Sequence, residues 1–424
     1  MKVTFRLLPF FQLLAAIVLA GFLCMPSVVE AKQKLLSGIH GQKSVMPKSC
    51  RACHRGMTMA LSGEESTCLT CHGSDSARQE MEQKGYLRLI GQVELRDIEV
   101  ELRKPYNHPA LAVRGVHRKF ETLPEELVNA ARHSECVDCH DSHAVEKNVP
   151  FRGLKGKRVG NFITEVTEEY ELCYRCHAES ANLPGRSTNK HEEFKTTNPS
   201  FHPVEGEGKN TFVISLKEPY VAQKQSPNDI STISCGDCHG SDDPDGPKGP
   251  HGSNNPGLLV LNYEMEDGRS ESSQAYALCY ECHERSSLLA NESFPYHALH
   301  IQGRIGGQDG TSCFTCHDAH GSTQYQHLIR FNQEIVSENL DGRLEYEAQG
   351  YSARHGACFL SCHSVEHGVV EELLPTDGDP APADSGGLLP PLDGGSLLSP
   401  SPSLDLGGGL QPIDDTVQRV DGVY

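Results

Sequence analysis

The stretch Cys136-Val137-Asp138-Cys139-His140-Asp141-Ser142-His143 decides how the whole chain is read. Two thiols stand three residues apart, an imidazole follows directly, and a second imidazole comes three residues later. On one helical turn, positions i, i+3 and i+4 project to the same side. A porphyrin held through two thioethers along one edge, with its iron met by the adjacent histidine, needs this geometry. C-x-x-C-H is the sequence of covalent haem attachment.

The motif recurs along the chain. Besides Cys136/Cys139/His140 there are Cys50/Cys53/His54, Cys68/Cys71/His72, Cys173/Cys176/His177, Cys235/Cys238/His239, Cys279/Cys282/His283 and Cys313/Cys316/His317. An eighth, Cys358/Cys362/His363, has three residues between its thiols, so one must bulge out if both thioethers form. Disulfide frameworks and zinc ribbons also use paired cysteines. Neither explains a histidine after every pair, and with 22 His in 424 residues eight coincidences are out of reach of chance. The expected cofactor is eight covalently attached haem c.

Composition points the same way. Only 37% of residues are hydrophobic, 6% are aromatic and Trp is absent, so a protein-only core is poorly supplied. A net charge of −19 argues against nucleic acid, which needs clustered Lys and Arg. Residues 1–31 read as an export signal: Lys2 and Arg6 lead, Leu7 to Met25 is apolar, and Val29-Glu30-Ala31 has the spacing of a cleavage site. A retained anchor is the competing reading of that apolar run. The seventeenth cysteine, Cys24, falls inside it. The mature protein is expected outside the cytoplasm: periplasmic, outer-membrane-associated or extracellular.

The sites form four couples, with first-Cys separations of 18, 37, 44 and 45 residues. Couples two to four look like copies of one unit. Their leading sites are followed by His143, His251 and His320, and His251-Gly252-Ser253 and His320-Gly321-Ser322 share their next two residues. His108-Pro109 and His202-Pro203 precede couples two and three. After the eight motif histidines, 14 remain, enough to give every iron a second imidazole. The best-placed candidates are His40, His108, His117, His143, His202, His251, His300 and His320. His133, His297, His327, His355 and His367 form a second set, and His191 reads as a surface residue. Met57, three residues after His54, is a rival ligand whose expected role is packing.

The chain resembles the doubled-CxxCH multihaem c-type cytochromes of metal-respiring bacteria, over roughly residues 38 to 370. The expected fold is mostly irregular and haem-packed, with short helices at the haem sites and a few short strands. Alternation from Val93 to Leu102 suggests a hairpin, Thr211 to Leu216 and Leu258 to Tyr263 short strands, and Thr122 to Arg132 a helix. Residues 32–374 form the octahaem region. Residues 375–424 hold eight Pro, nine Gly and no Cys or His, the composition of a disordered tail.

Within 32–374, roughly 43 residues serve each haem, against ~100–200 for an ordinary domain. Such density forces the macrocycles together, and a row of close redox centres carries electrons. The resemblance implies respiratory electron transfer toward partner cytochromes or extracellular metal oxides, with outer-membrane association and self-assembly both open. The acidic surface suits partners with basic docking patches. An enzyme, a reductase of nitrite, hydroxylamine or tetrathionate, would need one open iron, and all eight motifs here end in His. A subunit of a cytochrome filament is the third reading.

Overall fold

The computed structural model describes residues 36–89, 95–112, 133–146, 149, 151–159, 162–178, 183, 187–210, 212–220, 232–303, 310–348, 356–363 and 365–368. The chain divides into two units, 1–376 and 377–424. The second unit, the leader, the Thr122–Arg132 segment, His117 and His355 all lie outside the described residues.

Within the first unit the elements are few and short. The longest described helices, Glu64–His72, Asp75–Gln83 and Glu169–His177, have nine residues each. Helices this short are marginal alone and depend on what packs against them. No described helix is long and apolar enough to cross a membrane. Most strands pair two residues at a time. Tyr106–Asn107 lies antiparallel to Gly252–Ser253, and Ser200–Phe201 to Gly321–Ser322. The only larger sheet among the described residues is four-stranded and built around Gly356–Cys362, which pairs with Glu345–Ala348, Val365–His367 and Val336–Ser337.

Some local expectations are corrected. Ile98–Leu102 is a helical turn, because Asp97 accepts hydrogen bonds from the Glu99 and Val100 amides at 3.0 and 3.4 Å. The alternation there buries Glu101 and Leu102 and leaves Val100 exposed. Of the two expected strands Thr211 to Leu216 and Leu258 to Tyr263, Thr211 lies outside the described residues, Leu258 ends the 3-10 turn Pro256–Leu258, and the rest forms turns, bends and isolated bridges. Met57 does not pack, since its side chain is fully exposed.

The apolar material is split into small clusters: Val45, Met46, Ala52, Met81 and Leu87; Leu259, Tyr263, Tyr276, Tyr280 and Ile301; and Ile329, Phe331, Val336 and Leu360. Each has motif cysteines packed on it: Cys53 and Cys71 on the first, Cys279 and Cys313 on the second, Cys316, Cys358 and Cys362 on the third. The motif cysteines therefore sit where the chain keeps its few large apolar side chains.

Candidate haem-attachment sites

Seven motifs lie on helical turns, as the i, i+3 spacing requires. Cys50 and Cys53, Cys136 and Cys139, Cys279 and Cys282, and Cys313 and Cys316 lie within helices that end at the second cysteine. In each, the following histidine leaves the helix in extended backbone. His72 and His177 are instead the last residues of longer helices. Cys235 opens a 3-10 turn that ends at Cys238.

Consecutive motifs bring their thiols near one another. Within couples the second cysteines approach: Cys53 feels the charge of Cys71, Cys139 that of Cys176, and Cys238 that of Cys282. Between couples the first cysteines meet in hydrogen-bonding contact: Cys68 with Cys136, Cys173 with Cys235, and Cys279 with Cys313. Cys316 lies beside Cys358 and Cys362. The succession runs unbroken from the first motif to the eighth. Burial pushes the Cys139 thiol up to about 11 and the Cys238 and Cys316 thiols to about 12. All sixteen thiols are free of disulfides.

The imidazoles meet in pairs. Ring centres are 6.1 Å apart for His54 and His143 and for His40 and His72, and 6.3 Å for His140 and His251 and for His108 and His177. They are 6.2 Å apart for His239 and His320, 6.4 Å for His297 and His317, and 6.1 Å for His300 and His367. His202 lies near enough to His283 for its charge to add to the burial that holds His283 at about 4.

Long-range backbone contacts make these pairs. His108 Nδ1 donates to the Pro250 carbonyl at 2.5 Å, and its amide donates to the His251 carbonyl at 3.3 Å. His202 repeats this one unit later: its Nδ1 meets the Ala319 carbonyl and its amide donates to the His320 carbonyl at 3.0 Å. His40 Nδ1 meets the Ser142 carbonyl at 2.9 Å, beside His143. The His-Pro and His-Gly-Ser segments are thus two sides of one joint. Gly252 and Gly321 allow the close approach, since an added Cβ would meet the Glu101 carbonyl oxygen at 1.8 Å or that of Glu193 at 2.1 Å.

Tying Nδ1 leaves Nε2 free for a metal and fixes the ring plane. His239, His300 and His317 donate Nδ1 to the carbonyls of Gly257, Tyr296 and His327, each at 2.9 Å. Nδ1 of His283 pairs with the Ser215 hydroxyl at 2.9 Å, and that of His297 with Ser293 at 3.1 Å. His320 Nδ1 bonds Asp318 at 3.1 Å, and Asp318 also takes Arg330 at 2.6 Å. Burial works against the Asp318 charge, but His320 and Arg330 outweigh it and hold the carboxyl well below its ordinary range. Asp318, Glu193 and His320 could frame a cation. Lys190 and Arg330 already balance their charge, each 2.7 to 2.8 Å from Glu193, so the group orients His320. Burial lowers His72, His177, His239, His251 and His317 to about 4, and His297 to about 3. A neutral imidazole is the ligand form.

These distances fit an iron between two rings. Two metal–imidazole bonds of ~2.0–2.1 Å, plus the offset from each Nε2 to its ring centre, separate the centres by about 6.3 Å. Of the expected second imidazoles, His40, His108, His143, His251 and His320 each face a motif histidine in this way. His300 faces His367 instead, and His297, from the second set, faces His317. His133 is buried, His327 rests its ring against Tyr346, and His191 lies by Tyr174. His363 stands apart, 61% exposed, with Nε2 3.1 Å from Asp267.

A chain with this motif series and these ring pairs is a multihaem c-type cytochrome. Its residues 42–199 and 159–328 both match the family described as outer membrane cytochrome MtrC/MtrF-like, domains II/IV, and the chain belongs to that family. Its members are electron-transfer proteins of the outer membrane that carry covalent haem c. No curated protein and no solved structure matches the chain.

Proposed function

We propose that this chain is an octahaem cytochrome that conducts respiratory electrons along a single row of bis-histidine irons, at the outer membrane and toward extracellular acceptors. Within it, His54, His72, His140, His177, His239, His283 and His317 are the motif-side ligands of the first seven irons. Their partners are His143, His40, His251, His108, His320, His202 and His297. The observation that carries the reading is the coincidence of two independent series, ring pairs at 6.1–6.4 Å and motif thiols in unbroken succession.

Bound haem would supply one-electron chemistry, its iron cycling between ferric and ferrous. The chain's own residues do the rest. Nδ1 anchors on backbone carbonyls fix His40, His108, His202, His239 and His317 and favour donation from Nε2, and the carboxylate of Asp318 does so more strongly for His320. Two imidazoles per iron leave no position for substrate, which supports conduction over catalysis. The thiol succession supports a linear order of sites. Redox partner cytochromes are supported by the family and by the acidic surface, and metal oxides are proposed as final acceptors.

The test combines mass and spectra. The mature protein should carry eight haem masses, and the oxidised protein should be wholly low-spin and indifferent to carbon monoxide on reduction. A high-spin iron that binds carbon monoxide would move a reductase ahead.

A further inference from the structure

The eighth motif is built differently from the other seven. Cys358 and Cys362 lie on the strand Gly356–Cys362, not on a helical turn. Strand side chains alternate, so Cys358, Leu360 and Cys362 share one face, while His363 stands past the strand's end, in the turn. Packing agrees: Cys358 and Cys362 lie with Leu360 against the cluster that holds Cys316, while His363 is 61% exposed. At His363 the backbone turns to φ 48, in the left-handed region. Its Nε2, the atom an iron would take, sits 3.1 Å from Asp267. Asp267 is 9% exposed and also accepts from the Ser312 amide at 2.8 Å and the Thr315 hydroxyl at 2.6 Å. An Nε2 that donates to a carboxylate carries a proton and has no lone pair for a metal.

The next strand offers another imidazole. Val365–His367 folds back antiparallel with Leu360 opposite His367. Directly opposed residues project to the same face, so His367 stands between Cys358 and Cys362 on their own side. His367 is also the ring that His300 faces, at 6.1 Å, within the range of the other pairs. His300 Nδ1 is tied to the Tyr296 carbonyl at 2.9 Å, leaving Nε2 for a metal.

We infer that the eighth iron is held between His300 and His367, and that His363, although it follows the cysteine pair, is a hydrogen-bond donor to Asp267 and not a ligand. This rests on the reading that Cys358 and Cys362 carry a haem. A motif drawn out along a strand cannot swing its next residue under the porphyrin, and the hairpin supplies the ligand from across the ladder.

Full-length wild type, His367→Met and His363→Met test it, with intact mass for haem content and near-infrared absorption of the oxidised protein for the sulfur-to-iron transition of a His/Met site. The expected result is eight haem masses in all three proteins, one new His/Met iron in His367→Met, and a wild-type spectrum in His363→Met. A His/Met or high-spin iron in His363→Met overturns the inference, as does an unchanged spectrum in fully loaded His367→Met. Loss of one haem from His367→Met alone supports it; loss from His363→Met alone overturns it. Seven haems in the wild type would instead remove the attachment reading beneath it, and that failure is visible before any variant is made.

Discussion

The first three couples and the last one build their ring pairs in opposite ways. In the first three, the leading motif histidine is faced by a ring from the next couple: His54 by His143, His140 by His251, His239 by His320. The couples are thereby interlocked, each lending a ring to the one before. The last couple does not follow this pattern. Its rings come from within, His297 and His300, one turn apart on the helix His297–Gln302, and its final site rests on a hairpin. The family matches end at residue 328, before that hairpin begins.

The interlock is broken most directly at its joint. Gly252→Val would drive a side chain into the Glu101 carbonyl, and no rotamer avoids a backbone atom 1.8 Å away. We expect about 3 kcal/mol of lost stability. Two irons should open together, because His251 and His108 sit on the two sides of that joint. Counting high-spin haems by magnetic circular dichroism decides it: two support the joint, and one or none breaks it.

Less of this was legible in the sequence than the motif suggests. Attachment follows from eight short patterns whose chemistry is local. The pairing of rings does not, because partners stand as far apart as His140 and His251 and are joined by ladders of two residues, too short to show a period. His-Pro and His-Gly-Ser could each be seen to recur, but nothing in either said that they bind each other. His297 stands in the second set, and the His-Pro that precedes couples two and three has no copy before couple four. His117, one of the best-placed candidates, lies outside the described residues.

Single ligands give the next largest effect. His320 follows His317 by three residues, so local reasoning would assign both to one iron. The structure puts His320 against His239, and His297 against His317. His320→Ala combined with His297→Ala should therefore open two irons with all haems still attached. If His320 served its own couple, the double variant would open one.

A smaller effect is expected where the ligand stays and only its support changes. Asp318 gives His320 a charged partner, whereas His239 on the other side of that pair has only the Gly257 carbonyl. Carboxylate support makes an imidazole a stronger donor and favours the ferric state. Asp318→Asn should raise one potential by roughly 50 mV, about 1 kcal/mol, comparable to the difference between charged and neutral hydrogen bonds. The other potentials in a redox titration should hold. A uniform shift of all of them would show that Asp318 acts through the fold and not through His320.

The smallest effect is expected at the opposite end of the chain, where sequence proximity offers a rival ligand. Met57 follows His54 by three residues, and a His/Met iron there would sit at higher potential than its neighbours. The structure places Met57 at the tip of a hairpin that pairs His54–Arg55 with Thr58–Met59, and its side chain is fully exposed. His54 meanwhile faces His143 nearly in parallel, 13° between the ring planes. To reach an iron beside His54, Met57 would have to unpair the hairpin and displace an imidazole, the stronger donor to ferric iron. Met57→Ala should therefore leave potentials, spin states and haem content unchanged, while His143→Ala should open one iron. Loss of a His/Met absorption band in Met57→Ala would reverse that order and make the first site the high-potential end of the row.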